Sequence, residues 1–403
     1  MKVKLLLSSA AAAGASAWSA LWTFPSILLS AFLVAWGAEA AQFVMAQGLA
    51  LAILAWLQTM PEFAVEAVIA WQAGHDPLAC FVAAPPRGCH SHLAVANYTG
   101  AIRLLVGLGW PMIYSVAAFS RRGSGGRLQP ICLDDEHAVE VLGTLPPVLY
   151  FVWVWYKGSL GLVDAAVLLA MYVAYLAILW RFPPKNEESL RDVPAVARWA
   201  YTRPGVWRGV AIGALFAAGG ALLYFTAHAF LNSMLALAAG LGVSQFVFVQ
   251  WVAPLLSEFP EKVSAFQWAR RAGTAPMALM NMLSSNVNQW TVLAAMIPVV
   301  FSIARGAPAA LPFDGAQRLE ILLTIAQSLV AVLLLMNMKF EWWDAVLLFA
   351  LWVGQFVFPH AREAMVGIYL AWAALLVAFW LRRPPTAPAV FVRLVRQPRR
   401  GPA

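Results

Sequence analysis

Residues 255–266 read LLSEFPEKVSAF, and residues 57–68 read LQTMPEFAVEAV. Each stretch places a Pro-Glu pair inside a long apolar segment, with a second carboxylate within one helical turn. Proline removes a backbone donor and clashes with the preceding turn, so it breaks a helix. A carboxylate at the centre of a bilayer costs at least about 2.5 kcal/mol on insertion scales. Two matched occurrences in such surroundings therefore indicate a function.

The composition of the whole chain is that of an integral membrane protein. Of its 403 residues, 62% are hydrophobic and 11% are charged, and the mean hydropathy is +0.72. A soluble domain carries about a quarter charged residues, and a helix needs about 20 apolar residues to cross a bilayer. The apolar runs of this chain reach that length. We therefore predict an all-α polytopic membrane protein whose main partner is the lipid bilayer.

The apolar segments form two series on either side of a charged, proline-containing linker. The first series is 24–44, 46–73, 93–119, 138–156 and 160–180, and the second is 208–230, 236–270, 276–303, 318–337, 342–359 and 363–381. Residues 5–22 are either a further helix or a signal-like lead-in, so we predict 11–12 transmembrane helices. The predicted domains are a repeat at 1–181, a linker at 182–207, a second repeat at 208–360, and an extra helix with an irregular basic tail at 361–403.

The two halves resemble each other. Glu62 and Glu261 each follow proline, and LVDAAVLLAMYVAYL (162–176) has a counterpart in WWDAVLLFALWVGQF (342–356), which aligns Asp164 with Asp344. Each copy has five spans, an odd number, so the second copy enters the membrane upside down. Inverted repeats with interrupted helices are a transporter architecture. The sequence therefore predicts two inverted five-helix repeats plus an extra C-terminal helix, with both aspartates in structural positions at helix N-termini.

The basic residues predict the orientation. Arginines and lysines concentrate in the linker and in the tail, which should both be cytoplasmic in a bacterial inner membrane or a plasma membrane. The net charge of +8 follows from this bias and does not point to nucleic acid. The loop with Cys80 and Cys89 then faces outward. Whether these cysteines pair stays open, and the histidines beside them match no standard metal-site spacing.

The acids of the two Pro-Glu stretches lie in pairs that share a helix face: Glu62 with Glu66, and Glu258 with Glu261. Carboxylates that converge in a low dielectric repel one another and retain protons. Hard cations such as Ca²⁺ prefer carboxylate and carbonyl oxygens. The structural alternative is an ion-pair network with Arg103, Lys262 or His228.

Two further segments carry neutral oxygen ligands, ANYTGAIRLLVGLGWP (96–111) and MNMLSSNVNQWTVLAAMIP (280–298). Their polar side chains are Asn97, Thr99, Asn281, Ser284, Ser285, Asn286, Asn288 and Gln289. Such groups at membrane depth indicate ion ligands, or alternatively hydrogen bonds between helices.

With these motifs, the sequence resembles the membrane region of sodium/calcium exchangers, in the calcium/cation antiporter superfamily. That family has two α-repeats, each with a Thr-Ser-x-Pro-Glu type segment followed by an Asn-containing helix. The resemblance implies ten core helices and ion ligands midway along the second, third, seventh and eighth. Its retained ligands here are Thr59, Glu62, Ser257, Glu261 and Ser285.

This chain departs from the family pattern at several ligand positions. Ala101, Ile102 and Leu105 replace polar residues of the first repeat, whereas Gln289 replaces an acid and Glu258 a serine of the second. A further cation, Arg103, lies close to the expected site. We therefore expect fewer ion sites, with protonation of the Pro-Glu acids in place of some sodium binding.

The predicted function is a secondary active antiporter that exchanges Ca²⁺ or another cation for Na⁺ or H⁺ by alternating access, without a cofactor or enzymatic activity. The predicted ion ligands are Glu62, Glu261, Thr59, Ser257, Glu258, Ser285, Asn286 and Gln289. The predicted accessory residues are Glu66, Arg103, Lys262, Asn97, Asn281 and Asn288.

Two alternatives stay open. In a non-transporting sensor or scaffold descended from an exchanger, Arg103 and Lys262 would neutralise the acids permanently. An intramembrane enzyme with paired acids would need a substrate groove, and the inverted repeat argues against it. The transported ion, the stoichiometry and the oligomeric state are not determined by the sequence.

Overall fold

A computed structural model describes residues 18–41, 43, 59–75, 90–121, 128–180, 190, 193–271 and 273–396. These residues are almost entirely helical and belong to two compact units. The first unit comprises Met1–Gly100, Pro184–Glu261 and Met296–Ala309, and the second comprises Ala101–Pro183, Lys262–Ala295 and Ala310–Ala403. Each unit therefore takes segments from both predicted repeats.

The N-terminal half alternates long helices with two very short strands. Its helices are α1 (Ala20–Ala41), α2 (Met60–His75), α3 (His90–Leu104), α4 (Trp110–Ser120), α5 (Ala138–Lys157), α6 (Leu162–Leu179) and α7 (Ala195–Tyr201). The strands are β1 (Ile131–Cys132) and β2 (Ser159–Leu160). A π-helical segment, Leu105–Gly109, joins α3 to α4, and a 3₁₀ turn, Asp135–His137, leads into α5.

The C-terminal half repeats this order. Its helices are α8 (Val206–Gly240), α9 (Gln245–Ser257), α10 (Phe259–Arg270), α11 (Ala275–Asn288), α12 (Ala294–Arg305), α13 (Gly315–Leu335), α14 (Trp342–Val357), α15 (Arg362–Arg382) and α16 (Thr386–Arg396). The strands are β3 (Leu311–Pro312) and β4 (Lys339–Phe340). A second π-helical segment, Gln289–Leu293, joins α11 to α12, and a 3₁₀ turn covers Pro359–Ala361.

Helices long and apolar enough to cross a membrane are frequent in the described residues, as the composition predicts. Eight stretches qualify: Ala20–Ala41, Ser91–Ser120, Asp135–Lys157, Leu162–Leu179, Val206–Gly240, Ala275–Arg305, Gly315–Leu335 and Arg362–Arg382. Two shorter apolar helices are α9 and α14. The predicted segment 236–270 is interrupted, since helices end at Gly240 and Ser257. The candidate helix at 5–22 and the start of segment 46–73 lie mostly outside the described residues.

The short strands show the inverted repeat within the second unit. Strand β1 precedes α5 and pairs with β4, which follows α13; β2 follows α5 and pairs with β3, which precedes α13. Both pairs are antiparallel, and each joins one half of the chain to the other. The π-helical segments occupy matching places in the two halves. The fold is thus the predicted all-α membrane fold with two inverted repeats.

The two aspartates occupy the predicted structural positions at helix N-termini. Asp164 accepts hydrogen bonds from the Gly161 backbone N–H at 2.7 Å and from the Tyr150 hydroxyl at 2.7 Å, and it pairs with Lys157. Asp344 accepts the Glu341 backbone N–H at 2.9 Å. Each carboxylate therefore satisfies a donor that helix geometry leaves open at the first turn.

The C-terminal tail differs from its prediction, because residues 386–396 form the helix α16 rather than irregular structure. Ala387 and Val390 are buried, and Phe391 and Leu394 pack against the core of the second unit. This i, i+3, i+4, i+7 spacing gives one apolar face, which packs on α5 and on the 3₁₀ turn before it. Arg393 on the exposed face contacts Asp135 at 2.7 Å.

Candidate functional site

The first Pro-Glu stretch forms the start of a helix in the first unit. Thr59 lies before α2 and its carbonyl accepts the Phe63 N–H at 3.1 Å. Pro61 therefore falls in the first turn, where its missing N–H leaves no helical hydrogen bond unmade. Glu62 follows in the same turn, where the helix dipole favours negative charge. Thr59, Glu62 and Glu66 are all buried.

The second Pro-Glu stretch has the same local structure. Helix α9 ends at Ser257, Glu258 takes a non-helical conformation (φ −95, ψ 5), and α10 begins at Phe259. Glu261 thus lies in the first turn of a new helix, as Glu62 does. The Ser257 hydroxyl donates to the Ala253 carbonyl at 3.0 Å. Ser257, Glu258 and Glu261 are each 2% exposed or less, so proline interrupts the helix where acid is buried.

A carboxylate and an amide meet beside the first turn of α2. The Asn97 Nδ2 donates to Glu66 Oε2 at 2.7 Å, and both residues are 1% exposed or less. Glu66 Oε1 and Asn97 Oδ1 accept no hydrogen bond from the described residues. Tyr98 is buried close enough to Glu62 and Glu66 to interact with both charges. Two hydrogen-bonded side chains in a buried acidic region therefore each keep one oxygen with unused acceptor capacity.

Helix packing in the first unit brings the two Pro-Glu turns onto neighbouring helices. Helix α2 packs against α9 and α8. Helix α3 also approaches α9 closely at Gly100, because a Cβ there would overlap the carbonyl oxygen of Gln250. The first unit therefore combines seven predicted residues on adjoining elements: Thr59, Glu62, Glu66, Asn97, Ser257, Glu258 and Glu261.

The other neutral ligands lie on α11 and at the start of its π-helical segment, in the second unit. Ser285, Asn286, Asn288 and Gln289 are each 1% exposed or less, and Asn281 is 9% exposed. Neither amide atom of Asn286 has a hydrogen-bond partner among the described residues. A buried amide without partners costs free energy unless a ligand satisfies it. This helix therefore carries a polar face suited to a ligand.

Arg103 is paired within the second unit with a carboxylate that the sequence predictions omit. Its Nη2 contacts Glu320 Oε2 at 2.5 Å, its Nη1 donates to Gln355 Oε1 at 3.3 Å, and Gln327 donates to its carbonyl at 3.1 Å. Glu320 also pairs with Arg362. This buried ion pair weakens the alternative in which Arg103 exists to neutralise the Pro-Glu acids.

The sequence contains a signal for Glu320. Glu140 and Glu320 are acids inside apolar segments, and intramembrane acids are functional candidates by default. Of the remaining predicted residues, Lys262 is buried in the second unit, whereas His228 is exposed and contacts Asn232 at 3.2 Å. Cys80 and Cys89 lie outside the described residues.

Comparisons with known proteins place the chain in a family. A family model described as sodium/calcium exchanger protein matches residues 8–181 and 212–359. The crystal structure of the H⁺/Ca²⁺ exchanger CAX is similar with a TM-score of 0.85 and 30% sequence identity, over 94% of this chain and 92% of that chain. The sodium-calcium exchanger NCX_Mj, soaked with 2.5 mM Na⁺ and 10 mM Sr²⁺, shares the fold with a TM-score of 0.54 and 16% identity, over 86% and 99%. No curated protein sequence matches the chain.

Proposed function

The chain belongs to the sodium/calcium exchanger protein family, and we propose that it is a secondary active antiporter that exchanges Ca²⁺ for H⁺. The observation that carries this proposal is the buried acidic region at the two Pro-Glu turns. Glu62, Glu66, Glu258 and Glu261 are all buried. The first two lie on α2, which packs against α9 in the first unit, and the other two directly follow α9. A membrane protein has no structural need for such a concentration of acids.

The donor set fits a hard divalent cation. Ca²⁺ takes six to eight oxygen ligands from carboxylates, amides and backbone carbonyls. Glu66 Oε1 and Asn97 Oδ1 have unused acceptor capacity, and Thr59 and Ser257 place hydroxyl and carbonyl oxygens beside the acids. We propose Glu62 and Glu261 as the principal ligands. On family resemblance, Ser285, Asn286 and Gln289 remain proposed ligands from α11.

Competition between protons and the cation supplies the coupling. Four acids in a low dielectric cannot all remain charged without a counter-ion. A bound Ca²⁺ stabilises their ionised forms, and protons stabilise their neutral forms. The two ligands therefore exclude each other, and each crosses the membrane only when the other has left. The inverted repeat supplies two related conformations, as alternating access requires.

Protons, rather than sodium, are proposed as the counter-ion. The first repeat lacks neutral ligands at Ala101, Ile102 and Leu105, while Glu66 and Glu258 add protonatable groups. The similarity to the H⁺/Ca²⁺ exchanger CAX, at 30% identity, supports the same choice.

Flux into proteoliposomes tests this function. Vesicles with an acidic interior should accumulate Ca²⁺ in sodium-free buffer. Nigericin, an ionophore that exchanges K⁺ for H⁺, should abolish the uptake in K⁺ buffer because it collapses the pH gradient. Glu62→Gln and Glu261→Gln should each remove uptake, because each removes a charge that holds the cation. Glu363→Gln, an acid-to-amide change at an exposed position of α15, is the matched control and should transport normally. Uptake that requires a sodium gradient and ignores the pH gradient would contradict proton coupling.

A further inference from the structure

Glu140, in the first turn of α5, is a buried acid outside the Pro-Glu region. It is 5% exposed, and its Oε2 accepts no hydrogen bond from any described residue. It forms no salt bridge within the described part of the chain. Transferring an unpaired charge of this kind from water is so unfavourable that proteins neutralise it by pairing, metal binding or protonation. Glu140 therefore needs a neutralising partner.

The inverted repeat identifies the counterpart of Glu140. Equivalent positions in the two repeats are separated by the same number of residues: β1 from β3, and Asp164 from Asp344. The same spacing separates Glu140 from Glu320. Each glutamate is followed four residues later by a threonine whose hydroxyl donates to the glutamate carbonyl, at 2.9 Å for Thr144 and 2.7 Å for Thr324. The two acids thus occupy equivalent places in the two repeats.

Their surroundings differ at one decisive position. Glu320 is balanced by Arg103 and Arg362. Arg103 lies two residues before the first π-helical segment, and the residue two positions before the second segment is Val287. Val287 packs with Val139 and with Tyr175, which is itself the counterpart of Gln355. Glu140 therefore has the same place as Glu320, but the position equivalent to Arg103 is Val287, whose apolar side chain cannot neutralise a carboxylate.

The charged and titratable groups on elements packed against α5 do not replace that guanidinium. Glu136 on the 3₁₀ turn and Tyr175 on α6 are the groups that interact with Glu140, and neither is a cation. Helix α11, its π-helical segment and β2 carry no charged residue. The remaining groups are Asp135 and His137 on the 3₁₀ turn, Asp164 and Tyr172 on α6, Arg318 and Glu320 on α13, and Arg393 and Arg396 on α16. Asp164 binds Lys157 and Tyr150 in the C-terminal half of α5. Arg393 binds Asp135, and Arg318 binds the Trp155 carbonyl.

We propose that Glu140 is a second proton-binding carboxyl of this exchanger, separate from the Pro-Glu acids, and that it takes up and releases a proton during each exchange cycle. The proposal rests on the proton coupling proposed above. The proton binds to Oε2 and returns to water, and no other bond changes.

On this proposal, the proton moves through the polar groups around Glu140. Glu136, one turn earlier, is half-buried and close enough to Glu140 for the two carboxyls to interact. On the other side, the Tyr175 hydroxyl lies 3.4 Å from Ser284 Oγ on α11. Ser284 precedes Asn288 by one helical turn, so the proposed path from Glu140 towards the polar face of α11 uses these two hydroxyls.

Two measurements on the whole protein in lipid test the proposal. Infrared spectra should show a protonated-carboxyl C=O band that disappears as pH rises, and part of that band should be missing in Glu140→Gln. In proteoliposomes, the same variant should move one proton fewer for each Ca²⁺. Gln keeps the shape of the side chain, and Asp135→Asn is a matched control at an exposed acid on the same turn, expected to leave both readouts unchanged.

The outcomes separate this proposal from the proposed function. If Glu140→Gln keeps the full band, Glu140 does not bind a proton and the proposal is wrong. If the band is reduced but the proton count per Ca²⁺ is unchanged, Glu140 is a static neutral acid and its role in the cycle is refuted. If the unmodified protein moves no protons with Ca²⁺, the proposed function fails, whereas the infrared result still decides proton binding by Glu140.

Discussion

Buried charged side chains in the described part of the chain are of two kinds. Arg103 and Arg362 share Glu320 in the second unit, which makes a three-residue ion cluster in which Arg103 and Glu320 are buried and Arg362 is half-buried. Burying ions is expensive, and removal of one partner leaves the others uncompensated. In contrast, the acids at the Pro-Glu turns are proposed to be neutralised by cargo, which enters and leaves. The same residue type is therefore structural at Glu320 and proposed to be functional at Glu62 and Glu261.

This distinction predicts the effect of removing the Glu320 charge. Glu320→Gln leaves Arg103 buried without its carboxylate and should lower the free energy of unfolding by about 3–5 kcal/mol. The exposed pair Asp135–Arg393 is the matched control, and Asp135→Asn should cost only about 0–1 kcal/mol. Chemical denaturation of purified protein in detergent measures both.

The double variant Arg103→Met with Glu320→Leu should recover most of the lost stability, because apolar residues of similar volume replace a buried ion pair at little cost. An equally large loss in the double variant would show that the cluster is not the source of the effect.

The helices of this fold depart from regular α-helical geometry at a few positions. The Pro-Glu turns start α2 and α10, and π-helical segments widen the long helices at matching places in the two repeats. Segments of this type occur often at functional sites. Close helix approach needs glycine, as at Gly107, where a Cβ would overlap the Trp352 side chain, and at Gly100 beside Gln250.

The Gly100 contact predicts a stability change. Gly100→Ala should force α3 and α9 apart and lower the free energy of unfolding by about 1–3 kcal/mol, as overpacking does elsewhere. Gly213→Ala on α8 is the matched control, because nothing lies within 4 Å of its added Cβ. It should be neutral or stabilising by up to about 1 kcal/mol, since alanine favours helix. Equal effects of the two substitutions would contradict the close approach.

The whole molecule is organised by duplication and inversion. Strands β1 and β4 form one sheet and β2 and β3 the other, and the spanning helix α5 separates β1 from β2. The tail helix α16 packs beside the Asp135 turn, which places the tail on the same side as β1. The charge bias predicts that this side is cytoplasmic.

Cysteine labelling tests that topology. With Cys80 and Cys89 replaced by alanine, the exposed Cys132 in β1 should react with a membrane-impermeant maleimide only when the cytoplasmic face is open to the reagent. In a variant that also carries Cys132→Ala and Ser159→Cys, the thiol in β2 should react from the external face instead. Labelling of both positions from the same side would refute the inverted arrangement.

The amino-acid sequence alone was sufficient for properties that depend on one helical turn or on composition. Hydropathy predicted the membrane fold, the odd span count predicted the inverted repeats, and the first-turn chemistry predicted the roles of Asp164 and Asp344. The same local reasoning predicts a helix interruption at both Pro-Glu stretches, since proline acts on its own turn.

Only the tertiary structure decided which distant residues meet. Asn97 and Glu66 are 31 residues apart, and Arg103 and Glu320 are 217 apart. No local pattern encodes such a pairing, because it depends on how apolar helix faces pack. The same packing makes residues 386–396 helical, since their apolar face gains its stability against α5. It also leaves Glu140 near Tyr175 and without a described salt bridge, while its equivalent, Glu320, pairs with two arginines.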